Sequence, residues 1–163
     1  MPVTAQIPEV LYYEGNKLAL CSLPLSDYFA FSKNRTDFRY NCNALYRCYV
    51  ATWDIQHERL YLIGLSATRE DGTKVNVTTF FPNYPDRVFA HWYTGELRIP
   101  QGNSLTHSNG YWGGDYERDL FISIDKGVIT ETRTKINGIS SRQSGVEEYG
   151  ARAMTVFSKN KLA

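Results

Sequence analysis

The stretch from Tyr46 to Thr68 constrains the fold of this chain more than any other. It reads YRCYVATWDI, then Gln56-His57-Glu58, then RLYLIGLSAT. Both flanking segments are rich in β-branched and aromatic residues, so they predict two strands, and the short polar link predicts an antiparallel hairpin with a tight turn near His57. Because apolar side chains fall on both faces of the first segment, we expect it to be a central strand that is covered on both sides.

Other segments also predict strands, since they are short, apolar or alternating, and end at turn residues. They are residues 11–13, 17–20, 74–81, 96–99, 116–124 and 128–135. Glu14-Gly15-Asn16 and Asp125-Lys126-Gly127 are expected to close the first and the last pair into hairpins. The segment at 74–81 is expected to follow the central hairpin as the third strand of a meander, and Pro100 is expected to end the strand before it.

Two short helices are predicted between the strands. Ser26 is expected to cap a helical turn over residues 26–29, because its hydroxyl can accept from a backbone N–H of that turn. Asp86 is expected to cap a second helix over residues 86–92, since the apolar residues there recur at helical spacing.

These elements predict a single domain. At 163 residues the chain is long enough to bury a core, and no linker or internal repeat divides it. We therefore expect a single β-rich domain over residues 1–163. Its predicted fold is mainly β, with a largely antiparallel sheet arranged as a barrel or a sandwich and one or two short helices. The tail is expected to hold a weak helix over 146–156 or a final strand over 153–157.

Charge and cysteine content exclude several classes of protein. Eighteen basic residues against 17 acidic ones give a net charge of +1, without the basic excess of a nonspecific nucleic-acid binder, so a nucleic-acid partner is not expected. No apolar run approaches the roughly 18 residues of a membrane helix, and the N-terminus does not read as a signal peptide. Three cysteines, an odd number, argue against a disulfide framework. Together these features predict a cytoplasmic protein without membrane contact.

Metal and cofactor motifs are not found in the sequence. Its histidines and cysteines are His57, His91, His107, Cys21, Cys42 and Cys48, and none stands at the spacing of a zinc site. The glycines of NGYWGGD do not form a phosphate loop. We therefore expect no metal and no cofactor. Cys48 falls in the predicted central strand, where its thiol would be buried and unreactive.

Acid–base catalysis is the alternative to a binding function. The candidate catalytic residues are His91, His107, Asp115 and Glu117. Imidazole and carboxylate groups within one cleft exchange protons with a substrate, as a small hydrolase or a nucleotide-processing enzyme requires. We favour a protein that is not an enzyme, because no nucleophile motif accompanies these residues.

The predicted strand at 116–124 has two unlike sides. Glu117 and Asp119 share the side that we expect to face solvent, whereas Arg118 lies on the side with the apolar residues, which we expect to be buried. A core-facing arginine needs a carboxylate, a carbonyl or a ligand anion as its partner. Arg118 therefore either binds a ligand or pairs with an acid such as Glu96 or Glu117.

Aromatic side chains supply the rest of a candidate binding site. They make up 14% of the chain, and five of them lie in HWYTGELRIPQG and GYWGGDYERDL. Aromatic faces beside one or two arginines suit a planar anionic ligand or a peptide with an acidic side chain. The candidate ligand-binding residues are Trp92, Tyr93, Arg98, Tyr111, Trp112, Tyr116 and Arg118. If these rings are core residues instead, they form no such pocket.

The order of motifs between residues 46 and 127 resembles that of a family of small uncharacterised bacterial proteins. The resemblance lies in YVATWDI, RLYLIGL, the WYTGxLRIPxG-like segment WYTGELRIPQG, and DYERDLFISIDKG. It implies a bacterial or mobile-element source and places the two aromatic segments on one scaffold. It implies no activity.

Taken together, the sequence favours a non-catalytic binding protein. It would recognise a protein partner or a small planar or anionic ligand through its aromatic loops. One alternative is the hydrolase or nucleotide-processing enzyme described above. A second is a structural subunit of a homo-oligomer, because exposed sheet edges of such a fold can pair with a second copy.

Overall fold

Strands dominate the computed structural model, which describes residues 5–32, 36–105, 111–112 and 114–139. The strands of this described part are β1 (Glu9–Tyr13), β2 (Asn16–Leu20), β3 (Val50–Gln56), β4 (Arg59–Thr68), β5 (Lys74–Val75), β6 (Val88–Phe89), β7 (Gly95–Ser104), β8 (Tyr116–Asp125) and β9 (Val128–Ile136). The helices are α1 (Pro24–Phe31) and α2 (Val77–Phe80). The predicted tail at 146–157 lies outside the described residues.

One sheet joins the strands in the order β2-β1-β3-β4-β9-β8-β7, and β5 and β6 pair onto β4. All pairs are antiparallel except β1 with β3, which run parallel. The sheet curls so that its two edges meet where the Cys21 N–H donates to the Arg98 carbonyl at 2.8 Å, but it does not close into a barrel. A mainly β, sandwich-like fold with short helices is therefore confirmed.

The central hairpin is present as predicted. β3 pairs with β4 from Val50↔Ser66 to Gln56↔Arg59, and its turn residues His57 and Glu58 have φ values of 53° and 62°. Two successive left-handed residues match the twist of a two-residue hairpin turn. One face of β3 is fully buried through Trp53, whereas its other face is only half-buried.

A cluster of aromatic rings covers the buried face of the sheet. Phe29 of α1 meets the rings of Phe38, Tyr49 and Phe80 with centroids 5.1–5.8 Å apart. Edge-to-face contacts at such distances add to the free energy of burial. Helix α1 is therefore held against the sheet by its aromatic side chains.

The structure corrects both helix predictions. Helix α1 begins at Pro24 rather than at Ser26, because the fixed φ and missing N–H of proline suit a first helical turn. Residues 86–92 form no helix, so Asp86 is not a cap. There Val88 and Phe89 form β6, which pairs with β4. Pairing with a strand distant in sequence has outweighed the local helical spacing.

Two strand predictions also need correction. The segment at 74–81 stops being a strand after Val75, because the Asn76 side chain accepts from the Thr79 N–H at 3.2 Å and starts α2. The strand predicted to end at Pro100 continues as β7 to Ser104. β7 lies at the edge of the sheet, where a proline without an N–H is tolerated.

The predicted sides of β8 are right at Ile122 and Ile124, which are buried, but wrong in the first half of the strand. Glu117 and Asp119 are buried, whereas the Arg118 side chain is 40% exposed. The strand β7 shifts its register after Gln101 and folds over Glu117, so closely that a Cβ on Gly102 would stand 2.5 Å from Glu117 Oε1. This cover comes from a bulge in the neighbouring strand, which the alternation within β8 does not reveal.

Candidate binding site

A buried glutamine, Gln6, joins three segments of the chain. Its backbone N–H donates to the Tyr111 carbonyl at 2.8 Å, and its Nε2 donates to the Asn43 carbonyl at 2.8 Å. Its Oε1 accepts from the backbone N–H of Tyr46 at 2.7 Å. The loop before β3 and the segment at 111–112 are thus both bonded to the residues that lead into β1.

Large side chains stand exposed around this glutamine. They form the surface called here the tyrosine patch: Ile7, Tyr40, Tyr46 and Tyr111. Ile7 follows Gln6 in the chain, and the Tyr40 hydroxyl donates to the side chain of Asn43, whose backbone carbonyl accepts from Gln6. The most open are Tyr40 and Tyr46, at 53% and 51% exposure. Clustered exposed apolar groups are unusual on a surface unless they serve an interaction. The Gln6 hydrogen bonds hold the backbone of two of these tyrosines in place.

Directly after the patch residue Tyr46, the side chain of Arg47 turns inward and is 5% exposed. Its Nε donates to Glu9 Oε2 at 3.1 Å, and its Cζ lies 5.5 Å from the Tyr49 ring and 5.9 Å from the Trp112 ring. Among the residues that the structure describes, neither Nη1 nor Nη2 has a hydrogen-bond partner, and both are shielded from solvent. Each buried donor left unpaired costs about 1–3 kcal/mol of folding free energy, and more when it is charged.

The carboxylate of Glu9 is completely buried beside this arginine. Besides Arg47, it accepts from the Trp53 indole Nε1 at 2.8 Å and from the Ala51 N–H at 3.0 Å. Burial raises the pKa of Glu9, although the hydrogen bond from Trp53, the charge of Arg47 and the Ala51 N–H all lower it. Desolvation thus outweighs the partners of this carboxylate.

Tyr49 connects the arginine to helix α1. Its hydroxyl shares a hydrogen bond of 2.6 Å with the hydroxyl of Ser26. Burial raises the pKa of Tyr49, and the nearby carboxylate of Glu9 raises it further. The ring that faces the Arg47 guanidinium is therefore neutral, and its hydroxyl is held by Ser26.

Of the residues predicted to bind a ligand, Trp92 and Tyr93 lie in the aromatic core. The Trp92 indole Nε1 donates to the Pro24 carbonyl at 2.9 Å, and its ring stacks on Phe81 with centroids 5.8 Å apart. Tyr93 is buried, its hydroxyl donates to the Glu96 carbonyl at 3.3 Å, and burial raises its pKa to about 12. Both rings are used for packing.

The two predicted arginines are paired with acids. The Arg98 Nε donates to Asp119 Oδ1 at 2.9 Å, and Arg118 Nη1 lies 3.8 Å from Glu117 Oε1. The second contact is the one that the competing interpretation of Arg118 proposed. Tyr116 is half-buried, and its carbonyl accepts from the Asn137 side chain at 2.9 Å. These groups lie along β7 and β8.

Tyr111 and Trp112 are the predicted residues that the structure brings to the site. Their rings meet edge to face, with centroids 4.8 Å apart. Tyr111 belongs to the tyrosine patch, and Trp112 lies between it and Arg47. The pair therefore connects the exposed surface to the buried guanidinium.

Sequence reasoning missed Gln6, Glu9 and Arg47. A signal was present, because Glu9 stands inside the apolar run IPEVLYY and Arg47 stands near the start of the apolar segment YRCYVATWDI. Charged residues in such runs are seldom buried unless they are paired. Their pairing follows from the parallel alignment of β1 and β3, which local patterns do not predict.

The candidate catalytic residues are dispersed where they are described. His91 is exposed beside the Trp92 ring, at 5.6 Å between centroids, and within the described residues it has no hydrogen bond to a carboxylate. Asp115 is exposed and Glu117 is buried. His107 lies outside the described residues.

The cysteines do not form a metal site in the described part of the chain, which contains no group of three or more metal-ligating side chains. The prediction that Cys48 is a buried strand residue is wrong. Cys48 precedes β3 in a turn with a φ of 66° and is half-buried. All three cysteines are free.

A separate groove of about 720 Å³ lies where the β1–β2 and β3–β4 turns approach β9. Its walls are formed by residues 13–15, 55–58 and 129–132. Burial raises the pKa of Tyr13, and the carboxylates of Glu14 and Glu58 raise it further. The groove is open and acidic, and it does not touch the tyrosine patch residues.

The fold and the site define a class: a mainly β, sandwich-like protein with an exposed aromatic surface above a buried ion pair. No protein-family model matches the chain, and no curated protein or solved structure matches it either. In the described ranges, no helix has the length and apolar character needed to cross a membrane.

Proposed function

We propose that this protein is a non-catalytic binding protein that recognises a protein partner through the tyrosine patch. The observation that carries the proposal is the gathering of exposed Tyr40, Tyr46 and Tyr111 around the buried Gln6. Tyrosine is enriched at protein interfaces, because its ring buries a large area and its hydroxyl keeps a polar contact.

Preorganisation supports this function. Ordering of loops and side chains on binding subtracts from affinity. Here the backbone N–H of Tyr46 and the backbone carbonyl of Tyr111 are already bonded to Gln6. A partner would therefore meet a patch whose main chain needs little rearrangement.

We also propose a cytoplasmic location and a bacterial source. Support for the location is the odd number of cysteines, all of which are free. Support for the source is the resemblance of residues 46–127 to a family of bacterial proteins.

Site-specific photocrosslinking tests the proposed function. A benzophenone amino acid replaces Tyr46 in one protein and Tyr84 in another, and both are irradiated in the cells of origin. Tyr84 is a matched control, because it is 55% exposed and lies outside the patch. We expect a discrete crosslinked partner from position 46 and none from position 84. We also expect Tyr46→Ala to lower the affinity for the purified partner about tenfold or more.

Two results would overturn the proposal. One is that the purified crosslinked partner binds the Tyr46→Ala and Tyr111→Ala variants as tightly as it binds the wild-type protein. The other is a crosslinked species that contains only two copies of this chain, which would establish the homo-oligomer instead.

A further inference from the structure

We infer that Arg47 is the receptor for a carboxylate side chain, aspartate or glutamate, that the protein partner inserts beneath the tyrosine patch. This inference rests on the proposed function and names the chemistry of the partner group. Arg47 is 5% exposed, and the structure leaves two of its donor nitrogens without an acceptor among the described residues.

The geometry of the guanidinium identifies the ligand class. Glu9 accepts from Nε alone, at 3.1 Å, so Nη1 and Nη2 are left buried without an acceptor among the described residues. Two parallel N–H groups on one edge match the two oxygens of a carboxylate, which accepts them as a bidentate pair. A single carboxylate thus satisfies both unpaired nitrogens of Arg47.

Charge and shape favour a carboxylate over a phosphate. The site already holds the acidic side chain of Glu9 beside the Arg47 guanidinium, so a doubly charged anion meets stronger repulsion than a singly charged one. The rings of Tyr49 and Trp112 both turn their faces to the guanidinium, which leaves a planar group the better fit. Aromatic neighbours also strengthen the interaction of an arginine with a planar anion by excluding water.

Trp112 lies beside Arg47 and contacts the tyrosine patch. Its ring meets Tyr111 of the patch, and the Arg47 guanidinium lies over it. A carboxylate bound at the Nη atoms would therefore lie against the half-buried Trp112 ring. Trp112 is therefore a reporter for occupation of the site.

The test uses the purified chain labelled with 5-fluorotryptophan. The chain has three tryptophans, so the ¹⁹F spectrum has three resonances, and loss of one in Trp112→Phe assigns it. Propionate, which mimics a glutamate side chain, is titrated at constant ionic strength against its neutral isostere propionamide and against inorganic phosphate. Trp92, whose indole donates to the Pro24 carbonyl, is the internal reference.

We expect propionate to shift the Trp112 resonance saturably, with a Kd of about 10 mM or tighter, while Trp92 does not move. Propionamide should give no saturable shift. The Kd of phosphate should be at least about ten times that of propionate, and Arg47→Lys should raise the Kd of propionate about tenfold. The unmoved Trp92 resonance shows that the Arg47→Lys protein is folded. A response to propionamide equal to that of propionate, tighter binding of phosphate, or no saturable shift up to about 100 mM would overturn the inference.

This result is independent of the crosslinking result. If position 46 captures a partner but propionate does not bind, the carboxylate site is wrong and recognition by the patch stands. If propionate binds at Arg47 but no partner depends on Tyr46, the site takes a free carboxylate, and the assignment to a protein side chain is overturned.

Discussion

Glu9 accepts a hydrogen bond from Arg47 Nε at 3.1 Å, with both side chains removed from solvent. The two residues stand on different segments, Glu9 at the start of β1 and Arg47 in the loop before β3, and the parallel pairing of those strands brings them together. A buried ion pair seldom adds much stability over apolar residues of the same shape, but removing one member is costly. A role in binding therefore explains this buried pair better than a role in stabilising the fold.

The two residues should be strongly coupled in stability. Glu9→Ala leaves Arg47 Nε, the Trp53 indole and the Ala51 N–H without their acceptor and should cost about 3–5 kcal/mol. Arg47→Met combined with Glu9→Ala should cost less than the sum of the single changes, by about 0.5–3 kcal/mol. Urea unfolding of the four proteins measures the coupling. Additive effects, within about 0.3 kcal/mol, would show that the pair does not act as a unit.

The pH dependence of stability should carry the signature of Glu9. Burial raises its pKa in the folded protein above the usual value of 4.5, so the folded state keeps a proton that the unfolded state has lost. The stabilisation is complete below pH 4.5 and is lost as the pH rises through the folded pKa. Relative to Glu9→Gln, the wild type should therefore lose stability as the pH rises above about 4.5, by at most about 1.4 kcal/mol per pH unit. Urea unfolding at several pH values would refute this if the difference were constant or grew with pH.

Gln6→Ala should make the backbone of the tyrosine patch more mobile at Tyr46. It removes the acceptor of the Tyr46 N–H and the donor to the Asn43 carbonyl, and should cost about 1–3 kcal/mol. Hydrogen exchange at the Tyr46 amide should become faster by more than the global loss of stability accounts for. Asn16→Ala is the control, since it deletes a polar side chain whose bond of 3.4 Å to the Glu14 carbonyl is exposed. Equal exchange at Tyr46 in both variants would contradict the role of Gln6.

The two arginines of β7 and β8 should differ in their effect on stability. Arg98→Ala leaves the buried Asp119 without its bond of 2.9 Å and should cost about 1–3 kcal/mol. Arg118→Ala removes a 40% exposed side chain that lies 3.8 Å from Glu117, and should change stability by less than about 0.5 kcal/mol. Thermal or urea unfolding compares the two. A larger loss of stability for Arg118→Ala than for Arg98→Ala would contradict the burial of Asp119 and the exposure of Arg118 on β8.

Local sequence signals were sufficient for the parts of the fold that local contacts determine. The β3–β4 and β8–β9 hairpins were predictable, because turn residues and β-rich segments lie next to each other in the chain. The segment at 86–92 was not, since β6 forms by pairing with a distant strand. The burial of Glu117 depends on the bulge of β7, which no pattern within β8 records.

The candidate site was only partly predictable for a related reason. The aromatic segment at 110–120 pointed to Tyr111 and Trp112, because aromatic faces beside arginines suit a planar anionic ligand. Arg98 and Arg118 were chosen as the anion-binding groups, yet both lie near acids on β7 and β8. Arg47 differs from them only through contacts made by parallel strand pairing, which is invisible in a single sequence.

Nitrogen-15 NMR of the Arg47 side chain tests the central claim most directly. With only Nε bonded to Glu9, the Nη protons of the free protein should report no strong acceptor. Addition of propionate should move the Nη resonances downfield and slow rotation about the Nε–Cζ bond, because a bidentate carboxylate fixes both groups. Nη signals that stay unchanged at saturating propionate would contradict the account.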